Sequence, residues 1–342
     1  QSPPSSLLMT RAFSFSTLNV LSWLTIVLIM AAVWLTLQRA GRGTAFAFAR
    51  DDVMAALAVV ALTLTFYPVM KAYSLGQIQA WINAAFALAV LAMMYGRDDA
   101  AGAALGVACL IKPTYALIAV WAVLRKRWKL LGPMLAVAGL GTGAALIAYG
   151  WADNVNYLNA LSLIGRHGET FFPNQSINGF LNRWLGNGDS LKFERSTFAP
   201  FHPIVYGGTI AAFVALASIA LWAGRRATGA LSMVDFGIWT LTLTMTSPVA
   251  WEHHYGVAFA IFAATAPVVI VRAPFGRWTV PVLAASYVLV SQSLTVTNRF
   301  AGGPLGVLQS SLLFGAGGLL VTLYATVKAG PADQAAGPSN EK

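Results

Sequence analysis

The chain has 342 residues, of which 57% are hydrophobic and only 10% are charged, and its mean hydropathy is +0.66. Soluble domains carry about 25% charged residues, so this composition excludes an ordinary soluble protein and predicts an all-α polytopic membrane protein. The net charge of +10 does not indicate a nucleic-acid partner, because the basic residues fall in short clusters between apolar runs.

Nine apolar runs are long enough to predict transmembrane helices. They cover residues 17–37, 53–70, 78–95, 131–149, 204–222, 231–247, 256–271, 279–294 and 305–327. Basic clusters such as "RKRWK" and "GRR" fall in alternate connections, which predicts that the start of the chain is outside and its tail inside. Residues 1–328 are therefore expected to form one transmembrane domain. The Pro/Ala/Gly-rich residues 329–342 predict a disordered cytoplasmic tail.

Residues 100–124 depart from this pattern, because both ends of the segment carry the cytoplasmic signature. Pro113 interrupts it near the middle, since proline lacks the N–H that a continuous helix needs. We predict a re-entrant hairpin of two short helices with Lys112-Pro113 at the turn. An ionisable group in the membrane indicates a functional site, although Lys112 could also snorkel or pair with a helix C-terminus.

Two polar connections predicted to lie outside contain candidate binding groups. In "GQIQ", Gln77 either caps a helix or offers its amide to a substrate. In "RHGETFFPNQS", Arg166 and His167 can face an anion, while Asn174 and Gln175 come just before a predicted short helix. The aromatic residues beside them are typical of an interfacial belt.

The third polar connection, "TSPVAWEHHYG", places Glu252, His253 and His254 between two apolar runs. Ser247-Pro248 is predicted to end one helix and Gly256 to begin the next. Consecutive helical residues point about 100° apart, so we expect one imidazole to face the site and the other to cap or contact a neighbouring helix. The spacing matches no common zinc motif, and we therefore expect neither a metal nor a cofactor.

Four stretches together resemble glycosyltransferase family 87, whose members are class C membrane glycosyltransferases that include a polyprenol-phosphate-mannose-dependent α-1,2-mannosyltransferase. The stretches are the segment from "GQIQAWINAAF" to "RKRWK", then "NQSINGFLNRWLG", then "TSPVAWEHHYG", with the weaker "SPPSSLLMTRAF" at the start. They occur in order over residues 1 to about 270. Each is weak alone, while their order and spacing are more specific.

The resemblance implies an inverting hexosyltransferase in the bacterial plasma (inner) membrane. Its donor would be a polyprenyl-phosphate sugar, with mannose the family's best-known sugar, and its acceptor a lipid or glycan hydroxyl on the extracytoplasmic face. Membrane lipid would surround it, and a polyprenyl groove would lie between its helices. By motif position, His253 and His254 match the family's paired His, Asn174 and Gln175 its "NQS" stretch, and Gln77 its "GQ".

A leaving phosphate needs positive charge, and an attacking hydroxyl needs a base. The cationic candidates besides the His pair are Lys71, Arg166, His167 and Arg183, while Lys112 is the candidate within the membrane. The family's base is an acidic residue in the first outside loop, yet the first 50 residues contain no Asp or Glu. We therefore expect that a preceding span and loop are missing from this chain, or that Glu252, Asp153 or Glu169 acts instead.

Two other functions remain open at this point. A multi-span transporter or lipid flippase also fits many spans with polar groups between them, although only residues 100–124 are interrupted and no matching segment occurs in the other half. A non-catalytic membrane assembly subunit would fit the lack of an acidic residue near the start of the chain.

Overall fold

The computed structural model describes residues 3–43, 52–193 and 198–329, and these ranges are mainly helical with no β-strand. Fourteen α-helices are described within those ranges. They are α1 (Pro4–Thr10), α2 (Phe15–Gly41), α3 (Val53–Thr65), α4 (Tyr67–Ser74), α5 (Gln79–Met94), α6 (Asp98–Ile111), α7 (Ile118–Leu124), α8 (Trp128–His167), α9 (Ile177–Trp184), α10 (Pro203–Ala223), α11 (Leu231–Thr246), α12 (Val257–Arg272), α13 (Thr279–Ser291) and α14 (Ser311–Lys328). The predicted tail lies outside the described residues, apart from Ala329.

Local chemistry explains where several helices begin. Ser14, Asp52 and Ser176 each accept a hydrogen bond from a backbone N–H in the first turn of α2, α3 and α9, respectively. Such side chains satisfy amides that a helix start leaves unpaired. The short helix predicted after "NQS" is therefore present as α9, and the helix boundaries predicted at Ser247 and Gly256 are confirmed.

Within the described residues, five helices are long and apolar enough to cross a membrane, and a sixth span results if α3 and α4 are counted together. These two helices meet at a 56° bend. The predicted runs 78–95, 231–247 and 279–294 correspond to helices of only 16, 16 and 13 residues, short of the roughly 20 that a span needs. The prediction of an all-α membrane protein is thus confirmed, while the count of nine spans remains a prediction.

Two boundaries differ from the sequence prediction. The run predicted to end at residue 149 is followed by a kink at the non-helical Gly150, and a second helical segment, which the sequence did not predict, then runs to His167, because its polar residues still allow helical hydrogen bonding. The last run begins later than predicted, since Pro304–Gln309 form a 3-10 helix and α14 starts at Ser311.

The predicted interruption of residues 100–124 is present. α6 ends at Ile111, Lys112 is extended, and a 3-10 helix from Pro113 to Leu117 leads into α7. A salt bridge of 3.0 Å between Asp98, at the start of α6, and Arg127, just after α7, brings the two ends of the segment together. Whether this segment re-enters a membrane remains a prediction.

The core is centred on α11 and α12. Every residue of α11 from Met233 to Thr246 is buried, and so is most of α12. Close helix packing uses small residues, as membrane helices commonly do. A Cβ added at Gly102 of α6 would lie 2.0 Å from the Leu130 carbonyl oxygen of α8, so only glycine permits this approach.

The helix ends form two opposite faces of the bundle. At one face, which we call the basic end, Arg39 donates to the Met94 carbonyl (3.1 Å), and Arg125 pairs with Asp235 at the start of α11 (2.7 Å). The basic end also includes Arg127, Arg225 and Arg272. The other face, which we call the site end, contains the connections 66–79, 111–114, 168–176, 247–256 and 292–310.

Candidate functional site

Two of the predicted polar segments meet directly at the site end. Asn174 and Trp251 form an isolated antiparallel bridge, and the Gln175 amide donates to the Ala250 carbonyl at 2.8 Å. The Glu252 amide in turn donates to a carbonyl of the first segment, that of Pro173, at 2.9 Å. The chain after α8 and the chain before α12 are therefore joined along their backbones.

The His254 imidazole lies against the ammonium of Lys112 at the break after α6. Lys112 Nζ is 3.1 Å from His254 Nδ1, and the Trp251 backbone N–H donates to the same nitrogen at 3.0 Å. Because a backbone amide can only donate, Nδ1 is the unprotonated nitrogen of a neutral ring and the proton resides on Nε2. His254 thus caps the 3-10 turn Glu252–Gly256, as expected for one of the two histidines.

His253 is buried beside this pair. Its ring centre lies 4.7 Å from that of His254 and 5.7 Å from that of Trp251, both edge-on. Lys71 and Lys112 both interact with it electrostatically. The two histidines and the two lysines therefore form a cationic and imidazole group at the site end.

Glu252 is buried and accepts hydrogen bonds from two hydroxyl groups. Tyr67 donates to Oε2 at 2.9 Å and Ser293 donates to Oε1 at 2.7 Å. None of the salt bridges in the described ranges involves this carboxylate. Its position ties α4 and the chain after α13 to the 3-10 turn that presents the histidines.

Glu169, in the connection after α8, is half-buried and accepts a hydrogen bond from the Trp251 indole. Burial raises the pKa of this carboxyl above its usual range, while the Trp251 hydrogen bond and the nearby Arg183 act in the opposite direction. A carboxylate with a raised pKa is a better proton acceptor, as a general base requires.

Asn174 and Gln175 use their side-chain amides within the protein. Asn174 Nδ2 donates to the Glu169 and Pro248 carbonyls, and its Oδ1 accepts from the Ala250 amide at 2.9 Å. Gln175 Nε2 donates to the Phe172 and Gln309 carbonyls, and its Oε1 accepts from the Leu312 backbone N–H of α14. Both residues thus shape the site, and their predicted contact with substrate remains a prediction.

Arg183 of α9 is also occupied by the protein backbone. Its two Nη atoms donate to carbonyls of the 168–176 connection and to the Ser310 hydroxyl, at 2.8–3.4 Å. Burial lowers the pKa of this guanidinium to about 9. The side chain holds several loops in place, and its predicted contact with the leaving phosphate remains a prediction.

The remaining predicted site residues, His167, Arg166 and Gln77, have their described contacts away from the two histidines. His167 Nδ1 contacts the Ala199 carbonyl at 2.8 Å, and Arg166 is exposed. Gln77 is at the surface, whereas the neighbouring Gln79 is buried and donates to Asn83 at 3.0 Å. Helix phase decides which glutamine of "GQIQ" faces inward, and the predicted contact of Gln77 with a substrate remains a prediction.

Sequence reasoning missed the partners of the acidic residues. Tyr67, Ser293 and Trp251 have no distinctive local pattern, and only the fold places them against Glu252 and Glu169. Within the described part of the chain, no group of three His, Cys, Asp or Glu residues is arranged to bind a metal ion.

A cavity of about 400 Å³ opens between α8, α10 and α11. Its walls are mainly apolar, with Leu117, Ile210, Phe213 and Leu243 among them, and Arg166 lies at its edge. It reaches Thr114 and Pro248, which are close in sequence to Lys112 and to the histidine turn. An apolar cavity therefore approaches the cationic group.

The membrane-capable helices and the polar group between their ends define a polytopic membrane protein. A model of glycosyltransferase family 87 matches residues 2–248, well over half of the chain, and the chain belongs to this family. The protein is accordingly a membrane glycosyltransferase by family. The match includes Lys112 and Glu169 and ends before Glu252, so the histidine turn lies beyond it. No curated protein and no solved structure matches the sequence significantly.

Proposed function

We propose that the protein transfers a hexose, mannose by analogy with the family's best-known members, from a polyprenyl-phosphate donor to a hydroxyl of a lipid or glycan. One observation supports this most directly. Lys112 places an ammonium at a helix break, and none of the salt bridges that the structure describes provides it with a carboxylate. A cation in such surroundings favours an anion as its partner, and the donor supplies a phosphate.

The phosphate of the donor would lie between Lys112, Lys71 and the Nε2 side of the histidine pair. A polyprenyl phosphate leaves as a phosphate monoester, and positive charge stabilises it as the bond to the sugar breaks. The apolar 400 Å³ cavity supports this arrangement, because it is lined by Thr114, which follows Lys112-Pro113 in the chain, and it suits part of an isoprenoid chain.

Transfer would proceed by one displacement that inverts the configuration at the anomeric carbon. The acceptor oxygen bonds to that carbon, the bond to the phosphate oxygen breaks, and the acceptor proton passes to a base. We propose Glu169 as the base, because it is half-exposed and burial raises its pKa. Glu252 is the second candidate, and its two hydroxyl partners indicate that it also positions the histidine turn.

The site end is proposed to face the extracytoplasmic side of a bacterial plasma membrane. The basic end lies at the opposite helix ends, and an excess of Lys and Arg is typical of the cytoplasmic side. The Asp98–Arg127 salt bridge supports a hairpin of α6 and α7 that enters and leaves on that side. No cofactor is needed for this reaction beyond the lipid-linked sugar.

A direct test uses purified full chain in lipid nanodiscs with a radiolabelled polyprenyl-phosphate hexose and extracted envelope lipids as acceptors. Formation of a labelled glycoside and release of polyprenyl phosphate are expected. Movement of the donor across vesicle membranes without a new glycoside would instead indicate a flippase. Absence of both activities, in a protein that still binds the donor, would favour an assembly subunit.

A further inference from the structure

A second cavity, of about 240 Å³, lies beside the proposed transfer site. It is bounded by the chain around α9, by the glycine-rich turns that follow it, and by the connection before α14. Thr170 lines this cavity and is the immediate neighbour of Glu169. A group bound there would therefore lie next to the proposed base.

Three residues that line this cavity carry buried polar atoms without a hydrogen-bond partner among the described residues. They are Arg183 Nε, Ser190 Oγ and Gln309 Oε1. Their residues are only 4%, 6% and 2% exposed. Buried polar groups are nearly always hydrogen-bonded, so three such atoms in residues around one cavity leave room for a partner outside the polypeptide.

The three atoms together define the ligand chemistry. Arg183 Nε only donates, Gln309 Oε1 only accepts, and Ser190 can do either. A phosphate or carboxylate would satisfy the arginine and repel the Gln309 oxygen. A ligand with several hydroxyl groups satisfies all three atoms, because each hydroxyl both donates and accepts.

Shape and composition agree with a sugar ring. The cavity is smaller than the roughly 300–1,000 Å³ of pockets for drug-sized ligands, which suits one monosaccharide unit. Trp184 lines the cavity and is more than half exposed, so its ring offers an apolar face to the C–H side of a sugar. Gly186, Gly188, Gly302 and Gly303 add walls without side chains.

We propose that this cavity is a hexose-binding subsite that holds a sugar unit of the acceptor while a hydroxyl on the same molecule faces Glu169. That the bound sugar belongs to the acceptor rests on the proposed transferase function. The binding of a hexose by the cavity does not, and it can be measured on its own.

The experiment measures binding of methyl α-D-mannopyranoside and methyl β-D-glucopyranoside to the full chain in nanodiscs prepared without glycoside detergents. Saturation-transfer NMR and quenching of tryptophan fluorescence report binding, with no donor present. The Ser190→Ala variant should bind the better hexoside about threefold to tenfold more weakly, the value of one hydrogen bond. Its thermal stability should be equal or higher, since the lost hydroxyl has no hydrogen-bond partner among the residues that the structure describes.

Two further variants sharpen the test. In Gly306→Ala the new methyl group would lie 3.9 Å from Gln309 Oε1, an ordinary contact, so the fold tolerates it while the space for a ligand falls. It should also weaken hexoside binding. Ser286→Ala is the matched control, because Ser286 is equally buried on α13 and does not line the cavity, and its affinity should equal that of the unaltered protein.

The possible results separate the two proposals. No hexoside binding, or equal affinity in Ser190→Ala and the unaltered protein, would overturn the subsite. Binding of inorganic phosphate or sulfate that Ser190→Ala weakens, without hexoside binding, would likewise overturn it in favour of an anion site. If hexoside binding depends on Ser190 and Gly306 while no sugar transfer occurs, the subsite stands and the proposed transferase function fails.

Discussion

Replacing Lys112 by Met removes one positive charge from the break after α6 and keeps a flexible side chain of similar length. In the structure this ammonium lies 3.1 Å from His254 Nδ1 at the edge of the proposed phosphate position. A unit charge about 4 Å from the phosphate contributes about 4 kcal/mol at an effective dielectric constant of about 20. Because Lys112 is partly exposed, screening reduces this value to about 3 kcal/mol, which corresponds to a loss of about 100-fold in kcat/KM.

The assay follows label from a polyprenyl-phosphate hexose into glycoside under single-turnover conditions. Lys129→Met serves as the control, because it removes an exposed lysine at the start of α8, near the basic end. We expect the control to retain full activity. If Lys112→Met transferred the sugar at the same rate as the control, with both proteins equally folded, the phosphate role of Lys112 would have to be abandoned.

Three more predictions follow from the acidic and amide groups. With Glu169 as base, transfer rises with pH as the carboxyl ionises above its usual range, and Glu169→Gln loses at least about 100-fold together with this pH dependence. Asn174→Ala leaves buried backbone groups unpaired and should lower the free energy of unfolding by about 2–4 kcal/mol. Asp235→Asn breaks the buried pair with Arg125 and should cost about 3–5 kcal/mol. Both losses are measurable by heating with a maleimide dye that reacts with the buried Cys109 as the fold opens.

A specific result would contradict each of these three predictions. An unchanged pH profile in Glu169→Gln would transfer the role of base to Glu252, and the matching Glu252→Gln variant tests that. An Asn174→Ala protein with normal unfolding and weaker substrate binding would show direct substrate contact. Asp235→Asn should leave the rate of transfer per folded molecule unchanged, because Asp235 lies at the basic end; a specific loss of rate would contradict its structural role.

The raised pKa of Glu169 also sets the direction in which protein stability changes with pH. Burial raises the pKa of this carboxyl in the folded protein, so its protonated form is favoured by folding. Its contribution to stability is therefore present at low pH and is lost as the pH rises through the folded pKa. Glu169→Gln should consequently flatten the fall in melting temperature over that pH interval.

Much of the architecture could be read from local sequence. The apolar runs predicted helices at nearly the correct places, since burial in lipid demands continuous helical hydrogen bonding. Pro113 predicted the break beside Lys112, because the missing N–H acts within one turn. The polar composition after Gly150 predicts a loop, whereas these residues form a second helical segment up to His167, because helical hydrogen bonds tolerate polar side chains.

The sequence by itself determined that this protein is helical, membrane-embedded and supplied with an imidazole pair between two helices, because these properties depend on neighbouring residues. Only the tertiary structure decided which groups meet. Lys112 and His254 are 142 residues apart, and Tyr67 and Glu252 are 185 apart. Helix phase and packing set these contacts, and no local pattern of residues encodes them.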